Sequence, residues 1–163
     1  MDATPVTDTT PDTTPDTTPD TTPGIAATSA HTRGPVRGRA RHGWLGIVLG
    51  TRDPLGLARF YEALLGWPVS DADDPGFVTM QVRDLPLNLA FQLERQHVPP
   101  VWPGDPGEQQ MQVHLDVAVT DLETSAAEAV ALGARLAGHQ PQGDVRVLLD
   151  PAGHPFCLYR DLP

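Results

Sequence analysis

The chain has 163 residues, 21 acidic against 11 basic, and a formal net charge of −10. That length suits one domain, and so acidic a surface repels nucleic acid and anionic membranes alike. A single cysteine, Cys157, can close no internal disulfide, which agrees with a reducing compartment.

Residues 4–23 are almost entirely Thr, Pro and Asp, with Thr-Thr-Pro-Asp repeated in register from Thr9 to Asp20. Nothing there is apolar enough to offset the entropy of ordering, so a disordered, extended tail is expected. Arg33, Arg37, Arg39 and Arg41 follow in a short basic stretch, read as a solvated linker. Residues 1–42 are therefore set aside as tail and linker. No run approaches the roughly 18 apolar residues of a membrane span, and the N-terminus lacks the pattern of a signal peptide, so the expected location is the cytoplasm.

From Gly43 to Pro163 roughly 120 residues remain, enough for a hydrophobic core. This part reads as a duplication. Trp44-Leu-Gly46-Ile-Val-Leu-Gly-Thr-Arg-Asp53 is echoed by Gln112-Val-His114-Leu-Asp116-Val-Ala-Val-Thr-Asp121. After each aspartate a helix is predicted, ending at Leu65-Gly66 and at Leu132-Gly133. Asp53 and Pro54 suit the N-cap and first helical position, and Gly66 suits the C-terminus. Leu57, Phe60, Tyr61, Leu64 and Leu65 fall on one helical face; in the second copy the inner face is Leu122, Ala126, Ala129 and Val130.

Strands are predicted after each helix at 67–70, 77–82 and 87–94, then at 135–137, 145–149 and 155–159, separated by Gly-, Pro- and Asp-rich turns. Each half thus reads β-α-β-β-β, over 43–97 and 110–161, joined by a Pro-rich linker. The predicted class is α+β, two tandem modules making a curved, cup-shaped mixed sheet with helices outside. Side chains alternate across a strand. Leu87, Leu89, Phe91 and Leu93 share one face with Val113, Leu115, Val117 and Val119 in the other module, and these should pack under the helices. The opposite, mixed face carries Gln92, His114 and Asp116.

Each of these admits more than one role. His114 can be a metal ligand, a general base, a neutral imidazole that orients a ligand, or a structural histidine of the sheet. Asp116 lies two residues on, about 7 Å away by strand rise, too far for a tight dyad. It can orient a ligand or pair with Arg146. Gln92 offers an amide that both donates and accepts, or is a polar rim residue. Cys157, between Phe156 and Leu158, reads as a small buried residue; a nucleophile would need a neighbouring positive charge. Trp102, in the linker, offers a flat face to a ligand, whereas Trp44 and Trp67 read as core. His154 reads as a turn residue, and His31, His42, His97 and His139 show no ligand spacing.

Phe60-Tyr61-Glu-Ala-Leu-Leu-Gly66-Trp67, Pro100-Val-Trp102-Pro103, Gln110-Met-Gln-Val-His114-Leu-Asp116 and Asp150-Pro-Ala-Gly153-His-Pro-Phe156-Cys157 resemble the glyoxalase/bleomycin-resistance proteins of the vicinal oxygen chelate superfamily. The resemblance runs from Trp44 to Arg160. It implies paired β-α-β-β-β modules around a cup. It also implies metal-ligand positions on the first and last strand of each module, here Gly46, Gln92, His114 and Cys157. Glycine offers no donor, an amide is a weak one, and thiolate prefers softer metals than an oxygen-rich site takes. The expectation is a cytoplasmic small-molecule-binding protein without the usual divalent metal and with no other cofactor indicated. Its ligand contacts would be Gln92, Trp102, His114 and Asp116, and it would be a monomer or a homodimer. A metal-dependent lyase or dioxygenase is the alternative, and a non-enzymatic interaction module the second. Whether a bound compound is only held or also transformed stays open.

Overall fold

The computed structural model describes residues 45–82 and 85–161. Trp44, His31, His42 and the expected tail and linker over 1–42 lie outside the described residues. The first module runs β1 (Leu45–Thr51), α1 (Pro54–Leu65), β2 (Val69–Asp71), β3 (Phe77–Gln81) and β4 (Leu87–Leu93). The second runs β5 (Leu115–Val119), α2 (Leu122–Ala131), β6 (Arg135–Leu136), β7 (Val145–Leu149) and β8 (Pro155–Arg160). Both are β-α-β-β-β, as the duplication implied.

Each module builds its own mixed four-stranded sheet, in the orders β1-β4-β3-β2 and β5-β8-β7-β6. The helix acts as a crossover that brings β4 parallel to β1 and β8 parallel to β5, and the remaining pairs are antiparallel. The mixed sheet expected from sequence is thus two separate four-stranded sheets, one to each module. No helix among the described residues is long and apolar enough to cross a membrane.

Local chemistry fixes the helix ends. The Asp53 carboxylate accepts from the Gly56 amide at 2.9 Å, and Asp121 accepts from the Thr124 amide at 3.1 Å and from the Thr124 hydroxyl at 2.8 Å. Gly66, at φ 70°, donates its amide to the Glu62 carbonyl and closes α1 in a left-handed turn. Leu57, Phe60 and Tyr61 are buried while Leu64 and Leu65 pack partly against the core. In α2, Leu122, Ala126 and Ala129 face inward, but Val130 does not: it is 46% exposed, one position past the inward stripe.

One core spans both modules. Tyr61 stacks on Phe91 at 5.5 Å between centroids and meets Phe156 of β8 edge-on at 6.4 Å, while Phe60 meets the same ring at 6.0 Å. Burying each such ring contributes about 2–3 kcal/mol, with edge-to-face geometry adding to it. Beneath these rings sits a polar bolt. The wholly buried Asp150 carboxylate accepts from the Tyr61 hydroxyl at 3.1 Å, from His154 Nδ1 at 2.9 Å, and from the amides of Ala152 and His154 at 2.9 Å each. His97 Nε2 donates to the Ala152 carbonyl at 2.8 Å. Residues of the first module thus clamp the β7–β8 turn of the second. The alternation predicted for β4 and β5 holds in part: Leu89 and Phe91 are buried, Leu115, Val117 and Val119 pack on the core, and Gln92 and Asp116 face away from it, but Val113, which precedes β5, is 42% exposed, and Ala90 on the mixed face is buried.

Candidate functional site

The second module's mixed face is built from β5, β8 and β7 side by side. Asp116 is the register partner of Cys157, which lies opposite Val147, and Tyr159 lies opposite Val145. His114 immediately precedes β5, so its side chain continues the alternation that Asp116 begins. Its Nε2 lies 3.3 Å from Asp116 Oδ1. The expected 7 Å separation described Cα positions only; these flexible side chains close the gap. One atom each from His114, Asp116 and Cys157 fall within 4.8 Å of one another.

The Cys157 thiol is pushed up to about 11, first by burial, then by the charge of Asp116 and by the hydrogen bond it gives that carboxylate. At neutral pH it is a neutral donor, not a nucleophile. Asp116 does not pair with Arg146. The Arg146 guanidinium reaches Glu123 of α2 and donates to the carbonyls of Gly143 and Val145. Asp116 is left facing the cavity with only His114 and the thiol beside it.

That cavity measures about 510 Å³, inside the size range of small-molecule sites. His114, Asp116, Cys157 and Tyr159 form its floor, Trp102 comes from the linker, and Pro141, Gln142 and Asp144 come from the loop before β7. At 40% and 58% side-chain exposure, His114 and Asp116 are open to a ligand. The linker holds itself in shape: Val101 donates its amide to the Gln109 carbonyl, and the Gln110 amide group spans to the carbonyls of Asp105 and Glu108. Within it the Trp102–Pro103 peptide is cis, and the Trp102 indole Nε1 is buried with no hydrogen-bond partner.

A family model described as a glyoxalase-like domain matches residues 46–159, more than half of the chain. The chain belongs to the glyoxalase-like domain family. Solved structures share the fold of this glyoxalase-like domain. A glyoxalase/bleomycin resistance protein/dioxygenase family enzyme from Burkholderia phytofirmans is 19% identical with a TM-score of 0.54, covering 72% of this chain and 97% of that one. Protein ATC0852 from Agrobacterium tumefaciens is 20% identical with a TM-score of 0.55, covering 72% and 96%. The fosfomycin resistance protein FosX from Mesorhizobium loti is 16% identical with a TM-score of 0.52, covering 76% and 95%. No curated protein matches the chain.

Strand register corrects one correspondence between the halves of the glyoxalase-like domain. Val48 pairs with Ala90 as Asp116 pairs with Cys157, and Gly50 pairs with Gln92 as Ala118 pairs with Tyr159. The first-module counterpart of Cys157 is therefore Ala90, and Gln92 corresponds to Tyr159. Counting to the strand end, rather than along the ladder, places Gln92 two residues too far. Gln92 is exposed on the mixed face, paired with Gly50 and Phe77, and is not among the residues lining the cavity. Trp102, His114 and Asp116 are brought together there.

Sequence reading missed the residues that shape the cavity without touching its chemistry. Gln140 donates to the carbonyls of Ala137 and Val147 and accepts from the Val147 amide, imitating a strand at the edge of β7 and holding the loop that carries Pro141 and Gln142. Nothing in the local pattern marks it. A second cavity, of about 410 Å³, lies between Arg52, His97, Pro99 and Pro151. Its polar groups are engaged in the fold: His97 holds Ala152, Arg52 holds the His97 carbonyl, and Thr51 Oγ1 accepts from the Asp53 amide. The cavity over Cys157 keeps more of its polar groups free.

Proposed function

We propose that this protein binds a small organic molecule in the cavity over β5, β7 and β8, with Trp102, His114 and Asp116 as contacts and Gln92 as an outlying contact for a larger ligand. The observation that carries this reading is one cavity of about 510 Å³ in which a flat indole, an imidazole, a carboxylate and a neutral thiol converge. Apolar walls supply affinity and the few polar groups fix orientation. The divalent site of the superfamily does not fit here. Gly46 and Ala90 stand where the first module would supply donors, so a four-donor, oxygen-rich shell has no second half. A ligand would be sequestered, or acted on by acid-base groups; His114 and Asp116 are the pair in position for that. The protein acts in the cytoplasm as a monomer or a homodimer.

A thermal-shift panel of small organic compounds tests the reading. Stabilisation by a compound, lost in Trp102→Ala and Asp116→Ala variants that remain folded, is the expected result. A panel that moves the melting temperature of neither the parent nor the variants overturns it.

One observation favours a second reading, in which a metal is bound. His114, Asp116 and Cys157 converge within 4.8 Å, a three-donor set suited to a softer ion such as zinc. Elemental analysis of natively purified protein decides: about one equivalent of metal, absent from His114→Ala, supports a metal-dependent protein. Substoichiometric metal supports the metal-free binder. In the third reading, residues 1–42 recruit a partner, and unchanged partner capture after their deletion removes it.

A further inference from the structure

The charge and shape of the ligand can be read from the same cavity, provided that the cavity is the binding site proposed for it. Two carboxylates line it, Asp116 and Asp144. Neither has an arginine within ion-pair distance among the described residues, because Arg146 is held by Glu123. Arg160, the one permanent cation in the lining, donates its backbone amide to the Asp144 carbonyl and forms no ion pair with either carboxylate among the described residues. His114 is the remaining basic group, beside Asp116. The other walls carry Trp102 and Tyr159, two rings beside Val145, Val147, Pro141, Gln142 and the thiol. A chain with net charge −10 adds a field that attracts cations at long range.

A second, independent feature concerns the Trp102 indole. Its N–H is shut off from water and has no partner in the protein. A buried donor left unpaired is costly, so the fold alone does not satisfy the Trp102 side chain. Flat indole and phenol faces attract planar cations through the ring quadrupole, and the carboxylates supply a counter-charge. An anion would meet the two carboxylates, with Arg160 as the one permanent counter-charge in the lining.

We infer that the cavity takes an organic cation with a flat ring system, a protonated aromatic amine or amidinium, its positive edge toward Asp116 and Asp144 and its ring against Trp102 and Tyr159. Three compounds on one acridine skeleton separate charge from shape: proflavine as the cation, acridone as the neutral compound and acridine-9-carboxylate as the anion. Each is titrated by its own fluorescence against the full chain in low-salt buffer.

Proflavine is expected to bind about tenfold tighter than acridone, with the anion weaker still, and its affinity should fall as salt screens the carboxylates. Asp116→Asn and Asp144→Asn should each weaken proflavine about three- to fivefold and acridone by less. Trp102→Ala should weaken both. Circular dichroism melts confirm that each variant is folded. Equal or tighter binding of the anion, or indifference of proflavine to both carboxylate variants, overturns the inference. If proflavine fails while another panel compound stabilises the protein through Trp102, only the inference on ligand charge falls. If no compound does, the binding reading falls with it.

Discussion

Cys157 looks, from sequence, like a small buried residue, and its surroundings show why it should be chemically quiet. Burial first, then the charge of Asp116 across the ladder and the hydrogen bond that this carboxylate accepts from the thiol, push its ionisation up to about 11. In chelator-treated protein, iodoacetamide should therefore label Cys157 slowly at pH 8 and fast only as pH nears 11. Asp116→Asn removes the negative charge, and labelling should accelerate at lower pH. The chain has one cysteine, so mass spectrometry reads the site without ambiguity. Fast labelling of the parent at pH 7, unchanged by Asp116→Asn, would sink this account. Tyr61 behaves alike for a different reason: burial first, then the charge and hydrogen bond of Asp150, push its hydroxyl well above the usual tyrosine range. An unfolded tyrosine ionises near pH 10, so the unfolded chain loses its proton first and stability drops on the alkaline side. Tyr61→Phe removes one of the donors to Asp150 and should cost about 1–2 kcal/mol at pH 7. Urea midpoints at pH 8 and pH 10.5 should then differ less in the variant than in the parent.

The β-α-β-β-β units are where sequence and structure agree best. Two aspartates that cap, two glycines that stop and a helical stripe between them are local signals, and local signals survive without tertiary context. The strand Val145–Leu149 was legible to the residue, and the alternation in β5 separated core from cavity. Register was less legible, because which residues sit side by side depends on a parallel ladder closed across a helix. Hence strand-end counting matches Gln92 to Cys157 although Ala90 is its counterpart. Long-range polar contacts were not legible at all. His97 and His154 show no spacing that would reveal rings 5.0 Å apart on either side of a module boundary, and Asp150 stands out only as the start of a segment that carries the family resemblance. The β7–β8 turn shows how tightly this junction is set. Gly153 has φ 93°, and a Cβ built there would lie 2.6 Å from the Cβ of Pro99 in the linker. Gly153→Ala combines a left-handed strain with that clash and should cost about 1–3 kcal/mol, read as a lower denaturant midpoint. An unchanged midpoint would mean the linker gives way freely and does not clamp the turn.

At the scale of the whole molecule, the two modules are alike in fold and unlike in chemistry. Along equivalent positions the first presents Gly46, Val48 and Ala90 and the second His114, Asp116 and Cys157, so the polar side chains of these positions fall on one half while both halves share the core. That division fixes what each part of the chain must do for stability. The buried cluster draws on residues from Leu49 to Leu158, and the ring contacts that join the modules run between α1 and β8. Residues 1–42 are rich in Thr, Pro, Asp and Arg and hold few branched apolar side chains, a composition from which little packing is expected. Deleting residues 1–42 should shift the thermal midpoint by less than about 2 °C and leave ligand-induced stabilisation intact. Asp150→Ala in the same shortened chain should lower stability by about 3 kcal/mol or more, because it strands the Tyr61 hydroxyl, the His154 ring and two amides without an acceptor. The pair of measurements separates the two sources of stability: a large loss on deletion, or a negligible loss from Asp150→Ala, would mean that the junction of the modules is not what holds the domain together.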